Sequence, residues 1–330
     1  MTEQISRRAA LVGTAAASLL PLASGATHAA APLTGRQAPG WYRYKVGSFE
    51  LTVVTDGINR FKFADNHVMN RPRAEVSAAQ AAAHYDANVM TTPYNPVVVN
   101  TGSRLVLIDT GGGEATYART KGSAGQLRAN LVAAGIDRNA IDTVIISHYH
   151  GDHINGLLDA KNALAFPNAE ILVPAAEHKF FMDDGEMSRA PAGRMQTVFK
   201  NARRVMTADV LKRIKTYDPG KEIVQGITSV GTNGHSWGHN SHIVASGKDK
   251  VFVQGDVTHV PHLFARNPDW HAFYDQDGPK AEATRRRDYD MLVADRMMVQ
   301  GFHYPFPGLA YVEKAGKGYR EIAVPWSPTI

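Results

Sequence analysis

The chain has 330 residues, 44% of them hydrophobic and 20% charged, with a formal net charge of +5, fourteen histidines and no cysteine. That balance excludes a disordered chain, a collagen-like repeat and a disulfide scaffold. Without a thiol it also excludes cysteine nucleophiles, thiolate zinc sites, cysteine-held iron–sulfur clusters and CxxC redox chemistry, so histidine and oxygen must carry the chemistry.

In chain order, Ser6-Arg7-Arg8 precedes an apolar stretch over 9–20, and small residues follow at Ala26, Ala29 and Ala31. This pattern predicts an export leader over 1–31, of twin-arginine type with an ordinary Sec signal as the alternative, and a mature chain from 32 in the periplasm or outside the cell. The apolar run is too short for a permanent span, and nothing later resembles one, so no permanent membrane anchor is expected. No linker, fixed-period repeat or block of like charge divides the rest, which predicts one domain over 32–330.

Runs rich in β-branched residues predict strands over 50–55, 97–100, 104–109, 143–147, 170–173, 227–231, 242–246 and 251–254. Helical spacing predicts helices over 77–87, 124–134, 155–163, 174–183, 189–203 and 284–300. Strands and helices mixed throughout favour a layered α/β fold. Arg285-Arg286-Arg287, followed by Asp288 and Asp290, reads as a solvated helix face; no aromatic pattern beside it suggests nucleic acid.

The chemistry is concentrated in Ser147-His148-Tyr149-His150-Gly151-Asp152-His153, directly after the apolar run Thr143-Val144-Ile145-Ile146. His148 and His150 are two apart, so on extended backbone both point to one side, and Gly151 permits a sharp turn. Asp152 and His153 then open the next helix. His148 and His150 can hold one ion while Asp152 and His153, offset by the turn, address a second. This differs from HExxH, where two histidines one helical turn apart share one metal.

His148-x-His150-x-Asp152-His153 resembles the HxHxDH signature of the metallo-β-lactamase superfamily. Leu107-Ile108-Asp109-Thr110-Gly111 is similar to its LIDTG turn, Gly234-His235-Ser236-Trp237-Gly238-His239 to its GHTPGH segment, and Gly255-Asp256 to its bridging glycine–aspartate. His303 in Phe302-His303-Tyr304-Pro305-Phe306-Pro307-Gly308 fits the last ligand, and this ending looks most like the methyl parathion hydrolase (organophosphate hydrolase) branch. The resemblance covers about 40 to 325 and implies a four-layer αββα sandwich. Carried over, it implies that His148, His150 and His235 bind one metal, that Asp152, His153 and His303 bind another, and that Asp256 bridges them. Trp237 stands where the family usually has proline, and Ser147 where threonine is common; neither removes a ligand. Ser147, Asp109 and His239 are expected to orient the imidazoles through hydrogen bonds.

Together with the leader, the resemblance implies an exported hydrolase with two divalent ions, Zn²⁺ first and Mn²⁺, Co²⁺ or Fe²⁺ also accommodated by an all-His/Asp set. In it a hydroxide shared by the two ions attacks a phosphotriester or ester, with Asp152 and Asp256 as the catalytic carboxylates. The alternatives are a lactonase cleaving acylated homoserine lactones on the same site, and a metal- or ligand-binding protein without catalysis. The expected partner is a small-molecule substrate, not nucleic acid; a homodimer is left open. Tyr117, Phe180 and Phe181 are candidate pocket aromatics, while His259 and His262 are expected at the surface more than at the pocket mouth.

Overall fold

Runs such as Val97-Val98-Val99 and Val144-Ile145-Ile146 place apolar side chains on both faces of a strand, which is stable only if both faces are covered. The computed structural model, which describes residues 33–35 and 37–330, covers both; the leader expected over 1–31 lies outside the described residues. Every element of the fold falls within the unit Pro39–Ile330.

The chain runs through β1 (Trp41–Val46), β2 (Phe49–Val54), β3 (Gly57–Lys62), α1 (Arg73–Ala82) and β4 (Val89–Tyr94). Next come β5 (Val97–Asn100), β6 (Leu105–Ile108), α2 (Glu114–Arg119), α3 (Leu127–Ala133), β7 (Thr143–Ile145) and α4 (Gly151–Ile154). After β8 (Glu170–Pro174), the helices α5 (Ala175–Met182), α6 (Asp184–Arg189), α7 (Arg194–Val205) and α8 (Ala208–Leu211) lead to β9 (Ile214–Tyr217). The second half holds β10 (Glu222–Val224), β11 (Ile227–Gly231), β12 (Asn240–Ser246), β13 (Asp249–Val253), α9 (Pro261–Phe264) and α10 (Gly278–Asp295). It ends with β14 (Met298–Gln300), β15 (Leu309–Ala315) and β16 (Gly318–Ala323).

One seven-stranded sheet has the order β1-β2-β5-β6-β7-β8-β9, the other runs β10 to β16 in sequence, and β3 and β4 form a separate hairpin. Val97, Val99, Val106, Ile108, Ile145 and Leu172 meet Ile227, Val244, Val251 and Val253 between the sheets. Their neighbours one residue on, Val98, Leu107, Val144, Ile171 and Val173, pack outward against Leu131, Phe181, Phe199 and Val205 of α3, α5 and α7. On the far side Phe252 and Val299 pack on Tyr289 and Leu292 of α10. The period-2 alternation thus assigns each strand's side chains to two covered faces, making the αββα sandwich, and each fully buried Val or Leu contributes roughly 1.5–3 kcal/mol. No helix among the described residues is long and apolar enough to cross a membrane.

The strands expected from sequence are all present. Those it did not reveal include the sheet edges β1, β9, β10 and β16, where one side needs no partner and polar residues intrude. The helix expected over 155–163 is only a 3-10 turn at Asn155–Leu157. The helix expected over 284–300 starts earlier, capped by Asp277, and stops at Arg296, whose left-handed φ of 51° breaks it so that its last residues become β14. Its basic run is a solvated face only in part: Arg287 and Asp290 are exposed, but Arg285 is fully buried and donates to the carbonyls of Val257, Pro268 and Trp270, and Asp288 is buried beside Arg287.

Candidate metal centre

The parallel pairs β6–β7 and β13–β14 end where the chemistry begins. Asp109 follows β6, the 147–153 loop follows β7, Asp256 follows β13 and His303 follows β14; the 232–239 loop leads into β12. Carboxyl ends of parallel strands leave a crevice that loops line, which is where α/β folds place their sites. As expected for extended backbone, Tyr149 points away into the helix-side core and stacks on Phe181, while His148 and His150 share the other side.

The side chains converge as two groups. His148 Nε2 lies 2.9 Å from His150 Nδ1, and His235 Nε2 is 2.8 Å from His150 Nδ1 and 3.2 Å from His148 Nε2. Asp152 Oδ2 lies 3.9 Å from His153 Nε2 and 3.5 Å from His303 Nε2. Asp256 reaches both groups, with Oδ2 3.2 Å from His235 Nε2 and Oδ1 3.2 Å from His153 Nε2 and 3.3 Å from His303 Nε2. In each group the ligand atoms lie within 4.8 Å of one another.

Hydrogen bonds behind the rings fix which nitrogen faces inward. His153 Nδ1 donates to Asp109 Oδ2 at 2.8 Å, His235 Nδ1 to Asp275 Oδ1 at 2.9 Å, and His303 Nδ1 to the Pro93 carbonyl at 2.7 Å. Ser147 Oγ donates to Asp109 Oδ2 and so accepts from His148 Nδ1 at 3.0 Å. The outer nitrogens hold their protons, and the inner lone pairs point at one another. Among the described residues, His153 Nε2 and Asp256 Oδ1, both buried and 3.2 Å apart, make no hydrogen bond. Converging lone pairs and a buried bridging carboxylate are what a pair of divalent cations requires, and the donor set fits them.

Electrostatics agree. Burial and the neighbouring imidazoles hold His148 and His150 well below the usual histidine range, in the neutral form that coordinates. Burial alone would push the Asp256 carboxyl up, but His303 and His153 outweigh it and hold it well below the usual range. Burial also opposes charging of His153, yet Asp256 and Asp109 raise it well above its usual value; a cation there displaces a proton.

Asp109 takes a left-handed φ of 60°, unusual for a residue other than glycine, so that its carboxylate meets Ser147 N and Oγ as well as His153. His239 lies just behind the cluster: its Nδ1 donates to Thr232 Oγ1 at 2.7 Å, leaving Nε2 to accept from the Asp256 backbone N–H at 2.9 Å. Gly255 has φ +56°, and a Cβ there would lie 2.7 Å from that Nε2.

A cleft of about 320 Å³ opens on the clusters, walled by Phe61, Met90, Tyr94, Val260 and Phe273, with Arg194 at its side. The three aromatics expected from sequence do not line it. Tyr117 is exposed on α2 beside Arg128 and Val132. Phe180 packs on Phe199 and Trp237, and Phe181 is fully buried in the helix-side core, because α5 turns its apolar face to the sheet. His259 and His262 are buried, not superficial: His259 Nε2 lies 3.1 Å from Asp256 Oδ2, and His262 bonds Gln80 at 2.7 Å and stacks on Tyr85.

Sequence reasoning missed Asp275, Arg194 and Glu177, none of which stands at a motif spacing. Glu177, buried on α5, accepts from Tyr149 N, Ser236 Oγ and Gly238 N at 2.8 to 2.9 Å, tying the two histidine loops together.

A family model described as the metallo-beta-lactamase superfamily matches residues 90–295. A curated relative, the atrochrysone carboxyl ACP thioesterase of Passalora fulva, is 28% identical over 184 residues, which are 55% of this chain and 42% of that protein, so the chain spans less than half of it. Among solved structures, AidC, a dizinc quorum-quenching lactonase in complex with a homoserine product, superposes with a TM-score of 0.80 at 25% identity over 87% of this chain and 98% of AidC. The hydrolase AbOPH of the beta lactamase superfamily does so at 0.80 and 27%, over 88% of this chain and all of its own. With the family match covering more than half its length, the chain belongs to the metallo-beta-lactamase superfamily and carries the histidine–carboxylate clusters of a metal-dependent hydrolase.

Proposed function

We propose that the protein is a dinuclear metal-dependent hydrolase of carboxylic esters, lactones included. The observation that carries this is Asp256, whose two oxygens reach two separate groups of imidazoles. In this reading His148, His150 and His235 hold one ion, Asp152, His153 and His303 the other, and Asp256 spans both. Bound there, two divalent ions supply Lewis-acid activation of water and of the substrate's carbonyl oxygen. The chain's own groups do the rest. Asp152, the more exposed of the two carboxylates of the set that line the cleft, accepts the proton of the attacking water on its carboxylate and passes it to the leaving oxygen. Tyr94, held protonated by burial, is a neutral hydroxyl donor in the cleft wall. Phe61, Met90, Val260 and Phe273 exclude water and take the apolar part of the substrate.

The similarity to the lactonase AidC and to a thioesterase favours acyl substrates. Phosphotriester hydrolysis is the second reading, supported by the aromatic wall of Phe61, Tyr94 and Phe273, which suits an aryl leaving group. The test is metal analysis of the purified protein, then a panel of lactones, aryl esters, thioesters and aryl phosphotriesters with Zn²⁺, Mn²⁺, Co²⁺ and Fe²⁺ in turn. Two ions per chain and fastest turnover of an acyl substrate are expected; fewer than two ions, or faster phosphotriester cleavage, overturns the first reading. The Ser6-Arg7-Arg8 pattern supports a further part of the proposal, export with removal of 1–31. Cell fractionation and N-terminal sequencing test it, and an intact N-terminus in the cytoplasm refutes it.

A further inference from the structure

Arg194 opens α7 at the side of the cleft. Its guanidinium carbon stands 5.7 Å from the Phe273 ring centroid, and its Nη2 lies 3.2 Å from His150 Nε2. Among the described residues no carboxylate lies within ion-pair distance of it, whereas buried Arg285 has Asp275 and exposed Arg128 has Glu114. Taking most of a guanidinium out of water without an anion is costly, and such a group is retained where an anion arrives.

The contact with His150 does not satisfy it. His150 Nδ1 is the nitrogen that converges on His148 and His235, so in the proposed ligand set its Nε2 carries the ring proton. Arginine can only donate, so two donors face each other at 3.2 Å and share the need of an acceptor. The nearest acidic side chains, Asp152, Asp256 and Asp275, act on Arg194 from a distance, and the first two are committed to the metal clusters. Two divalent ions would outweigh them and leave this end of the cleft positive.

We propose that Arg194, with the His150 Nε2–H beside it, binds a carboxylate of the substrate, so that the preferred substrates are esters carrying an anionic carboxylate on an apolar body that lies along Phe273. This rests on the hydrolase reading above and narrows its substrate class.

The test uses the zinc-replete protein and two non-hydrolysable probes, N-phenylglutaramic acid and its carboxamide, titrated by calorimetry into the wild type, R194Q and R194K. The wild type is expected to bind the acid about tenfold more tightly than the amide, R194Q to bind both alike, and R194K to recover part of the preference, with equal zinc content in all three. If the wild type does not discriminate, or R194Q discriminates as well as the wild type, the carboxylate does not sit on Arg194 and the inference falls. In kinetics with phenyl hydrogen glutarate, R194Q is expected to raise KM about tenfold with kcat nearly unchanged, while the matching amide-bearing ester is unaffected. A protein that shows the binding preference but cleaves neither ester counts against the hydrolase reading and keeps only the carboxylate contact at Arg194. One that cleaves both esters equally, with no preference in binding, does the reverse.

Discussion

The backbone N–H of Gly238 donates to Glu177 Oε2 at 2.8 Å, and a Cβ placed on Gly238 would lie 2.1 Å from the Glu177 backbone nitrogen. The loop carrying His235 is thereby pressed against α5, and the other oxygen of Glu177 holds the loop carrying His148 and His150. Glu177→Gln turns an acceptor into a donor facing an N–H inside the protein. It is expected to cost roughly 1–3 kcal/mol in urea unfolding and to weaken metal retention. An unchanged midpoint and unchanged metal content would show that this tie contributes nothing.

Asp256→Asn keeps the shape of the side chain but replaces one bridging oxygen with an amide donor. We expect a folded protein by circular dichroism, metal content falling from two ions toward one, and less than about a tenth of wild-type turnover. His150→Ala should behave alike. Two ions and turnover above a tenth in the Asp256 variant refute the bridging assignment, and in the His150 variant they refute its place among the ligands.

Asp109→Asn isolates the role of a charge behind the site, because asparagine tolerates the left-handed φ of 60° that this position needs. Its carboxylate accepts from both Ser147 and His153, so the variant should lose about 10–100-fold in metal affinity, measured by competition with a chelator, and, with an amide donor now facing donors inside the protein, roughly 1–3 kcal/mol in urea unfolding of the metal-free protein.

Two histidines away from the clusters make stability depend on acid. Burial lowers His242 from its usual 6.5 to about 4, and burial with Arg266 nearby does the same to His262. Between those values the unfolded chain binds a proton that the folded chain refuses. Stability is therefore full above pH 6.5 and falls as the pH drops toward 4, at up to about 1.4 kcal/mol per pH unit for each group. His242→Gln should flatten that slope in denaturation curves taken across the range; an equally steep slope would assign the effect elsewhere.

The clusters were legible because coordination imposes spacing: a single residue between His148 and His150 on extended backbone, and a glycine before the turn that aims Asp152 and His153. The groups that support them were not, since Glu177, Asp275 and Arg194 reach the site from helices and loops with no register relative to the motifs. The core strands showed through their β-branched runs. β14 did not, because Arg296 ends α10 in a left-handed conformation that sequence usually marks with glycine. Phe180 and Phe181 misled for a related reason. An aromatic pair on an amphipathic helix looks alike whether it faces a ligand or a sheet, and here α7 and the sheet claim it.

Neither half of the sandwich owns enough donors for an ion. His148, His150, Asp152 and His153 hang from the first sheet, His235, Asp256 and His303 from the second, and each cluster draws on both. Ion occupancy is therefore a gauge of how firmly the two sheets are docked. Leu51→Ala, a cavity in the layer between them on a strand that bears no ligand, should quicken loss of the ions to a chelator at temperatures where the chain is still folded. Retention of the ions would then be a property of the whole interior, and not of the seven side chains proposed to hold them alone.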